Sequence, residues 1–245
     1  MSDNKVALVT GASRGIGGAI ADRFAADGWD LTISSRGREA LEQRADELSD
    51  LGAGRVEVIP ADMTDADAVE ALAGAHSEAF GRCDALIVNA GMGQKGKIAD
   101  LPVRRFDRLY QVNVRAPYIL LQSLVPLLRS TAETAGAAKV IAVASITGVY
   151  PEPELSAYGA TKAALISLCE TFNLEESTNG VSATTIAPGY VDTDMSDWLK
   201  DTIPGEEMIT VGDVATIAHS VTQLSRHAVL PNVVLTRPGE NLHRA

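Results

Sequence analysis

An α/β architecture, a doubly wound parallel sheet with helices on both faces, is predicted by three observations. Short apolar runs alternate with stretches of helical periodicity along the whole chain. A glycine-rich turn follows the first apolar run and opens the first helix. No repeat, linker or low-complexity segment divides the 245 residues, a length that suits one domain over residues 1–245.

The elements follow in order. Val6–Thr10 is the first strand, and the helix Gly17–Asp27 follows its glycine turn. Leu31–Ser34 and Val56–Pro60 are the next apolar runs, with helical patterns at Arg38–Leu51 and Ala66–Phe80. Ala85–Asn89 is the fourth strand, and Arg104–Ser130 is a long helix with Pro117 inside it. Val140–Ala144 precedes the helix Ala157–Ser177, Ser182–Ala187 precedes the helix Gly212–Ser225, and Val233–Thr236 is the seventh strand. Such alternation requires right-handed crossovers. Phe106–Leu128 and Ala157–Leu174 are apolar on more than one side, whereas a helix covering a sheet needs one stripe. A second subunit is the expected use of the excess, giving a homo-oligomer.

A formal charge of −11 and a pI of about 4.8 repel nucleic acid and anionic lipid, so neither is an expected partner. No apolar run approaches the roughly 20 residues that span a bilayer. Lys5–Val9 enters a strand at once, which leaves no room for a signal peptide, and a cytoplasmic location is expected. Cys83 and Cys169 belong to no C-x-x-C and read as buried thiols. His76, His219, His227 and His243 lack metal-ligand spacing, so no metal site is expected.

The turn is Thr10-Gly11-Ala12-Ser13-Arg14-Gly15-Ile16-Gly17. Strand, glycine turn and helix N-terminus together make an anion site, because free N–H groups and the helix dipole favour negative charge. Gly11 permits the tight turn, Gly15 admits a pyrophosphate, and Gly17 lets the helix approach the strand. The second strand ends in Ser34-Ser35-Arg36-Gly37-Arg38, without the acid that commonly binds ribose hydroxyls in NAD enzymes. Arg36 and Arg14 favour a 2′-phosphate through charge-assisted pairs. An acid opposing that phosphate would cost about 4 kcal/mol at about 4 Å with an effective dielectric near 20. NADP(H) is therefore the expected cofactor.

These residues, with those that follow, resemble the short-chain dehydrogenase/reductase family in its compact form, from about Lys5 to Thr193. The resemblance implies a Rossmann-type, seven-stranded, doubly wound sheet assembled as a tetramer or dimer. The glycine turn matches the family's T-G-x3-G-x-G. Ala61-Asp62, beside Met63, matches the acid that meets the adenine amino group. Asn89-Ala90-Gly91 matches its N-A-G, although Val88 stands where a further Asn is frequent. Pro188-Gly189-Tyr190-Val191-Asp192-Thr193 resembles the P-G-x-[VI]-x-T segment, whose backbone and threonine engage the nicotinamide carboxamide.

Tyr158-Gly159-Ala160-Thr161-Lys162 is the family's Y-x3-K, and residues four apart share a helix face. Lys162 is expected to lower the tyrosine pKa, ordinarily near 10, and to hold the nicotinamide ribose as its family counterpart does. Ser145, at a strand's carboxyl end, can donate to a substrate carbonyl. Asn113 matches the fourth catalytic position. Pro117, lacking an N–H, should bend that helix and free the Asn113 carbonyl for a water in a proton relay.

The implied reaction is reversible hydride transfer between a nicotinamide and a carbonyl or alcohol carbon, with NADPH-dependent ketone reduction the expected direction. Asp194–Thr210, with Tyr150, Leu155 and Gly91-Met92-Gly93, is expected to cover a carbon-rich ketone such as a 3-oxoacyl thioester. Leu235–Glu240 departs from the V-D-G-G-like ending of the 3-oxoacyl reductases. The rival reading is a non-catalytic NADP(H) sensor or scaffold on the same fold, which intact Ser145, Tyr158 and Lys162 disfavour. The chain is too short for the sugar-nucleotide domain of the extended epimerases and dehydratases.

Overall fold

The first strand is buried at every position, as a central strand covered on both faces must be. In a computed structural model that describes residues 3–239, seven parallel strands form one sheet in the order β3-β2-β1-β4-β5-β6-β7. They are β1 Val6–Thr10, β2 Asp30–Ser34, β3 Val56–Val58, β4 Ala85–Val88, β5 Ala138–Val143, β6 Val181–Pro188 and β7 Asn232–Leu235. The edge strands β3 and β7 are the ones that retain partial exposure. The helices are α1 Gly15–Ala26, α2 Arg38–Leu51, α3 Ala66–Phe80, α4 Val103–Tyr110, α5 Ala116–Ala135, α6 Ser156–Glu176 and α7 Val211–Thr222.

Two apolar layers hold the sheet. On one face, Val69 and Leu72 of α3, Leu120, Leu124 and Leu128 of α5 and Phe172 of α6 pack against Leu86 and Val140. On the other, Ile20 and Phe24 of α1, Leu41 of α2 and Val214 of α7 pack against Val9, Ile33 and Ile141. Three helices per face make the sheet doubly wound, as the alternation predicts. The chain winds outward from β1 to β3, then returns to β4 on the other side of β1. The crevice outside the carboxyl ends of β1 and β4 is where ligands bind in such sheets.

The long helix differs from its expected form. It runs from Val103 to Ala135 but widens into a π turn at Gln111–Arg115, where the Ala116 N–H donates to the Gln111 carbonyl. Pro117 directly follows, so the missing donor is absorbed by a wider turn rather than a break. Pro126 lies within α5 as well. Glu240 and His243 lie outside the described residues.

Candidate active site

The glycine turn begins where β1 ends. Gly11 has φ +66° and Gly15 φ +58°, the left-handed region that glycine adopts without a Cβ penalty. Gly17 serves a different need, since a Cβ there would collide with the Gly11 carbonyl and the Asn89 amide. The expected roles of Gly11 and Gly17 therefore have direct geometric causes. Ala12 N–H donates to Ser34 O at 3.1 Å, tying the turn to the end of β2.

Asn89 and Thr10 brace the turn from inside. Asn89 Nδ2 donates to the carbonyls of Thr10 (3.0 Å) and Gly11 (3.2 Å). The Thr10 hydroxyl donates to Ile87 O at 3.0 Å and accepts from the Asn89 and Ala90 N–H groups at 3.0 and 3.1 Å. Asn89 is thus committed to holding β1 and β4 together, a task that its motif does not disclose.

At the adenosine end, Asp62 accepts from Thr64 N and Oγ1, both at 2.8 Å. Those bonds, with the charges of Arg36 and Arg108, hold its carboxyl below the usual range. Arg36 is exposed, and Met63 is buried beside Asp62. The Arg14 guanidinium pairs with Asp194 at 2.8 Å, both side chains being exposed. Thr193 precedes Asp194, and its methyl lies 3.5 Å from where a Cβ on Gly15 would sit. Pro188 ends β6, Gly189 N–H donates to Leu235 O at 2.8 Å, and Val191 bridges to Ile209.

Ser145, Tyr158, Lys162 and Asn113 converge beyond β4 and β5. Ser145 caps the short 3-10 turn Ile146–Gly148, with Thr147 N 3.2 Å and Thr147 Oγ1 2.9 Å from its hydroxyl. Tyr158 lies near enough to Ser145 for the serine to oppose the rise of its pKa, and Lys162 Nζ lies 5.7 Å from the Tyr158 ring centre. Lys162 is buried, donates to Val143 O at 2.7 Å, and sits 3.4 Å from where a Cβ on Gly91 would be. Asn113 is a clamp: Oδ1 accepts from Met92 N (2.9 Å), and Nδ2 donates to Met92 O (2.9 Å) and Thr161 Oγ1 (3.0 Å). Thr161 Oγ1 in turn donates to Tyr158 O at 2.7 Å, so the clamp extends to the tyrosine.

One expectation is corrected. Lys162 does not lower the phenol in this arrangement. Burial raises Tyr158 to about 12, against the opposing influence of Ser145, and burial lowers Lys162 to about 8. Removal from water outweighs a cation whose own charge is disfavoured by the same surroundings.

The segment expected to cover the substrate is not a purely apolar wall. Met195 packs over Gly93 and Trp198 meets Tyr190 edge-on at 6.0 Å. Lys95 lies 4.6 Å over Trp198 and pairs with Glu154 at 3.0 Å, while Tyr190 OH donates to Glu152 Oε1 at 2.7 Å. Leu155, the residue before α6, is buried, and Tyr150 is partly buried. Glu152 is missing from the sequence expectation because a glutamate between two prolines has no periodicity or motif to mark it. Among the described residues, no cluster of His, Cys, Asp and Glu forms a metal site.

A model of the short chain dehydrogenase family matches residues 5–203. The chain belongs to that family. As a short-chain dehydrogenase it is an oxidoreductase, and it has the seven-stranded Rossmann-type sheet of its solved relatives. It is 33% identical over 188 residues to the D-beta-hydroxybutyrate dehydrogenase of Rhizobium meliloti, covering 76% of this chain and 71% of that protein. It resembles the alcohol dehydrogenase of the archaeon Thermococcus sibiricus complexed with 5-hydroxy-NADP, with TM-score 0.86, 29% identity, and 96% and 97% of the two chains covered. The 3-ketoacyl-(acyl-carrier-protein) reductase of Brucella melitensis, complexed with NADH, gives TM-score 0.82 at 27% identity, over 94% of this short-chain dehydrogenase and 96% of that chain.

Proposed function

We propose that this oxidoreductase reduces a ketone to a secondary alcohol with NADPH, as a cytoplasmic ketoreductase. The observation that carries the reading is the grouping of Ser145, Tyr158 and Lys162, with Lys162 Nζ 5.7 Å from the Tyr158 ring centre and beside Gly91, on the side of the sheet where the glycine turn lies. The cradle fits a dinucleotide: Gly11 and Gly15 open the turn through positive φ, and nothing but Thr193 approaches the bare face of Gly15. Gly11, Ser13, Gly15, Ile16 and Gly17 would hold the pyrophosphate, with Arg14 contributing its backbone while its guanidinium pairs with Asp194. Arg36, Asp62 and Met63 would hold the adenosine, with Arg36 selecting the 2′-phosphate. Asn89, Ala90 and Gly91 would line the middle, and Pro188, Gly189, Val191 and Thr193, with Tyr158 and Lys162, would hold the nicotinamide riboside.

When bound, the cofactor supplies the hydride. Ser145 orients the substrate carbonyl and donates to its oxygen as negative charge develops. Tyr158, which retains its proton, gives that proton to the same oxygen. Lys162 holds the ribose and the backbone at Val143, and Asn113 fixes the loop after β4 against α6. One solved relative carries 5-hydroxy-NADP and another NADH, and the lack of an acid directly after β2, where Arg36 stands instead, supports NADP(H) for this chain. A carbon-rich ketone, of which 3-oxoacyl thioesters are one class, suits Met195 and Trp198. Exposed Tyr118 on α5 and Leu174 on α6 support assembly as a dimer or tetramer.

A ketone panel with NADPH and NADH side by side, followed by nucleotide absorbance, tests the reading. Tyr158→Phe should lower kcat by roughly 10²- to 10⁴-fold while NADPH affinity stays within about threefold. Parallel loss of turnover and nucleotide binding would make Tyr158 structural.

A further inference from the structure

We propose that Glu152, braced by Tyr190, selects ketones that carry a hydrogen-bond donor, a hydroxyl or an ammonium group, on the arm lying against the 151–155 loop. The inference rests on the reductase reading above and narrows its substrate class.

Placement is the first argument. Glu152 lies in the connection between Ser145 and α6, which carries Tyr158. Tyr190 follows β6, the strand beside β5, and the Ala144 N–H donates to Ile186 O at 2.7 Å where the two strands run out together. The pair therefore stands at the edge of the sheet from which Ser145 projects. Tyr190 is also close enough to Tyr158 to be influenced by the charge on that phenol.

The second argument is an unfilled valence. Glu152 Oε1 accepts from Tyr190 OH at 2.7 Å, but Oε2 is shielded from solvent and accepts nothing. Among the described residues no cation pairs with Glu152. Lys95 is taken by Glu154, and Arg237, whose charge reaches Tyr190 and whose Nε is itself without a partner, leans on the Glu207 carbonyl at 3.5 Å and makes no ion pair with Glu152. Tyr190 keeps its proton because burial and the Glu152 carboxylate both push its pKa up, so it holds Glu152 as a donor. A buried carboxylate oxygen without a partner is costly, and a ligand that brings a donor removes that cost. A ligand lacking the donor leaves it in place, and one carrying its own carboxylate adds like-charge repulsion. Apolar cover from Met195 and Trp198 then handles the carbon chain, and Glu152 handles its one polar group.

The test uses the full chain with NADPH and four methyl ketones of matched length, ending in a hydroxyl, an ammonium, a methyl or a carboxylate. The kcat/KM of at least one donor-bearing ketone should exceed that of the methyl-ended one about tenfold or more, with the carboxylate lowest. Glu152→Gln keeps an acceptor for Tyr190 and removes the charge. It should lower the ammonium arm at least about tenfold and raise the carboxylate arm, while the methyl arm moves less than about threefold. Tyr190→Phe should raise KM for the donor arms more than it lowers kcat. Which arm leads separates a cationic from a neutral natural substrate. Turnover of all four ketones without this order, or an order unchanged in Glu152→Gln, overturns the inference and leaves the reductase intact. Absence of NADPH oxidation with every arm, in protein that binds NADPH, overturns the reductase reading and the inference with it.

Discussion

A phenol that ordinarily titrates near 10 is held at about 12 here, and an ammonium that ordinarily titrates above 10 is brought to about 8. Both shifts come from burial, and both favour the neutral form. The consequence for the chemistry is directional: a tyrosine that keeps its proton is equipped to donate one, which is the need of carbonyl reduction. In the proposed reading, Arg36 is the residue on which cofactor choice turns. Arg36→Asp should lower kcat/KM for NADPH by about 10- to 100-fold while NADH is affected far less, because an exposed acid then faces the 2′-phosphate through partly screened solvent. Steady-state kinetics with both nucleotides decide it, and an equal loss with both would detach Arg36 from the phosphate. At this scale the sequence is legible where a residue type carries its own chemistry, as in Tyr158, Lys162 and Ser145. It is opaque where partners decide the role. Arg14 turns to Asp194, Asn89 braces the turn, and Glu152 meets Tyr190, and each depends on a neighbour 38 to 180 residues away in sequence.

The turn between β1 and α1 has almost no spare volume at one point and ordinary room one residue later. A Cβ on Gly17 would overlap the Gly11 carbonyl, whereas one on Gly18 would meet nothing nearer than 3.6 Å. Gly17→Ala should therefore cost about 1–3 kcal/mol through overpacking, a fall of roughly 2–12 °C in Tm for a chain of this size. It should also weaken NADPH binding at least about tenfold, while Gly18→Ala stays close to the parent in both. Thermal unfolding and nucleotide titration of the two variants make the comparison, and equal behaviour would remove the close-approach argument. The helices were readable as helices because their apolar stripes repeat, but their internal irregularity was readable only in part. Pro117 announces a disturbance near Asn113, yet whether the backbone kinks or takes up an extra residue depends on what the turn packs against. Here Asn113 is anchored to Met92 and Thr161, and the π turn is the form that keeps it there.

Across the whole molecule, the most exacting buried polar group outside the site is His76, fully enclosed between α3 and β2, with Nδ1 2.8 Å from Thr32 Oγ1. Burial lowers its pKa to about 4, although the backbone at Arg82 opposes the shift. The unfolded chain binds that proton near pH 6.5 and the folded one only near 4. Stability from this group is complete above about pH 6.5 and is lost as the pH falls towards 4, by up to about 3 kcal/mol. Urea unfolding at pH 7 and at pH 4.5 should show a larger loss for the parent than for His76→Gln, and identical losses would exonerate the imidazole. The sheet itself was the most legible feature, since buried parallel strands write themselves as apolar runs, and only the strand ends move by a residue or two. Strand order was another matter, because it is set by crossovers that local composition does not encode. That order also works as a ruler. The segments after β3, β2, β1, β4, β5 and β6 carry Asp62, Arg36, the glycine turn, Asn89–Gly91, Ser145 and Pro188–Thr193. Neighbouring strands lie about 4.8 Å apart, so a ligand reaching from the first of these stations to the fifth must stretch about 19 Å. An extended dinucleotide has that reach, whereas a single nucleotide would stop midway, short of the serine.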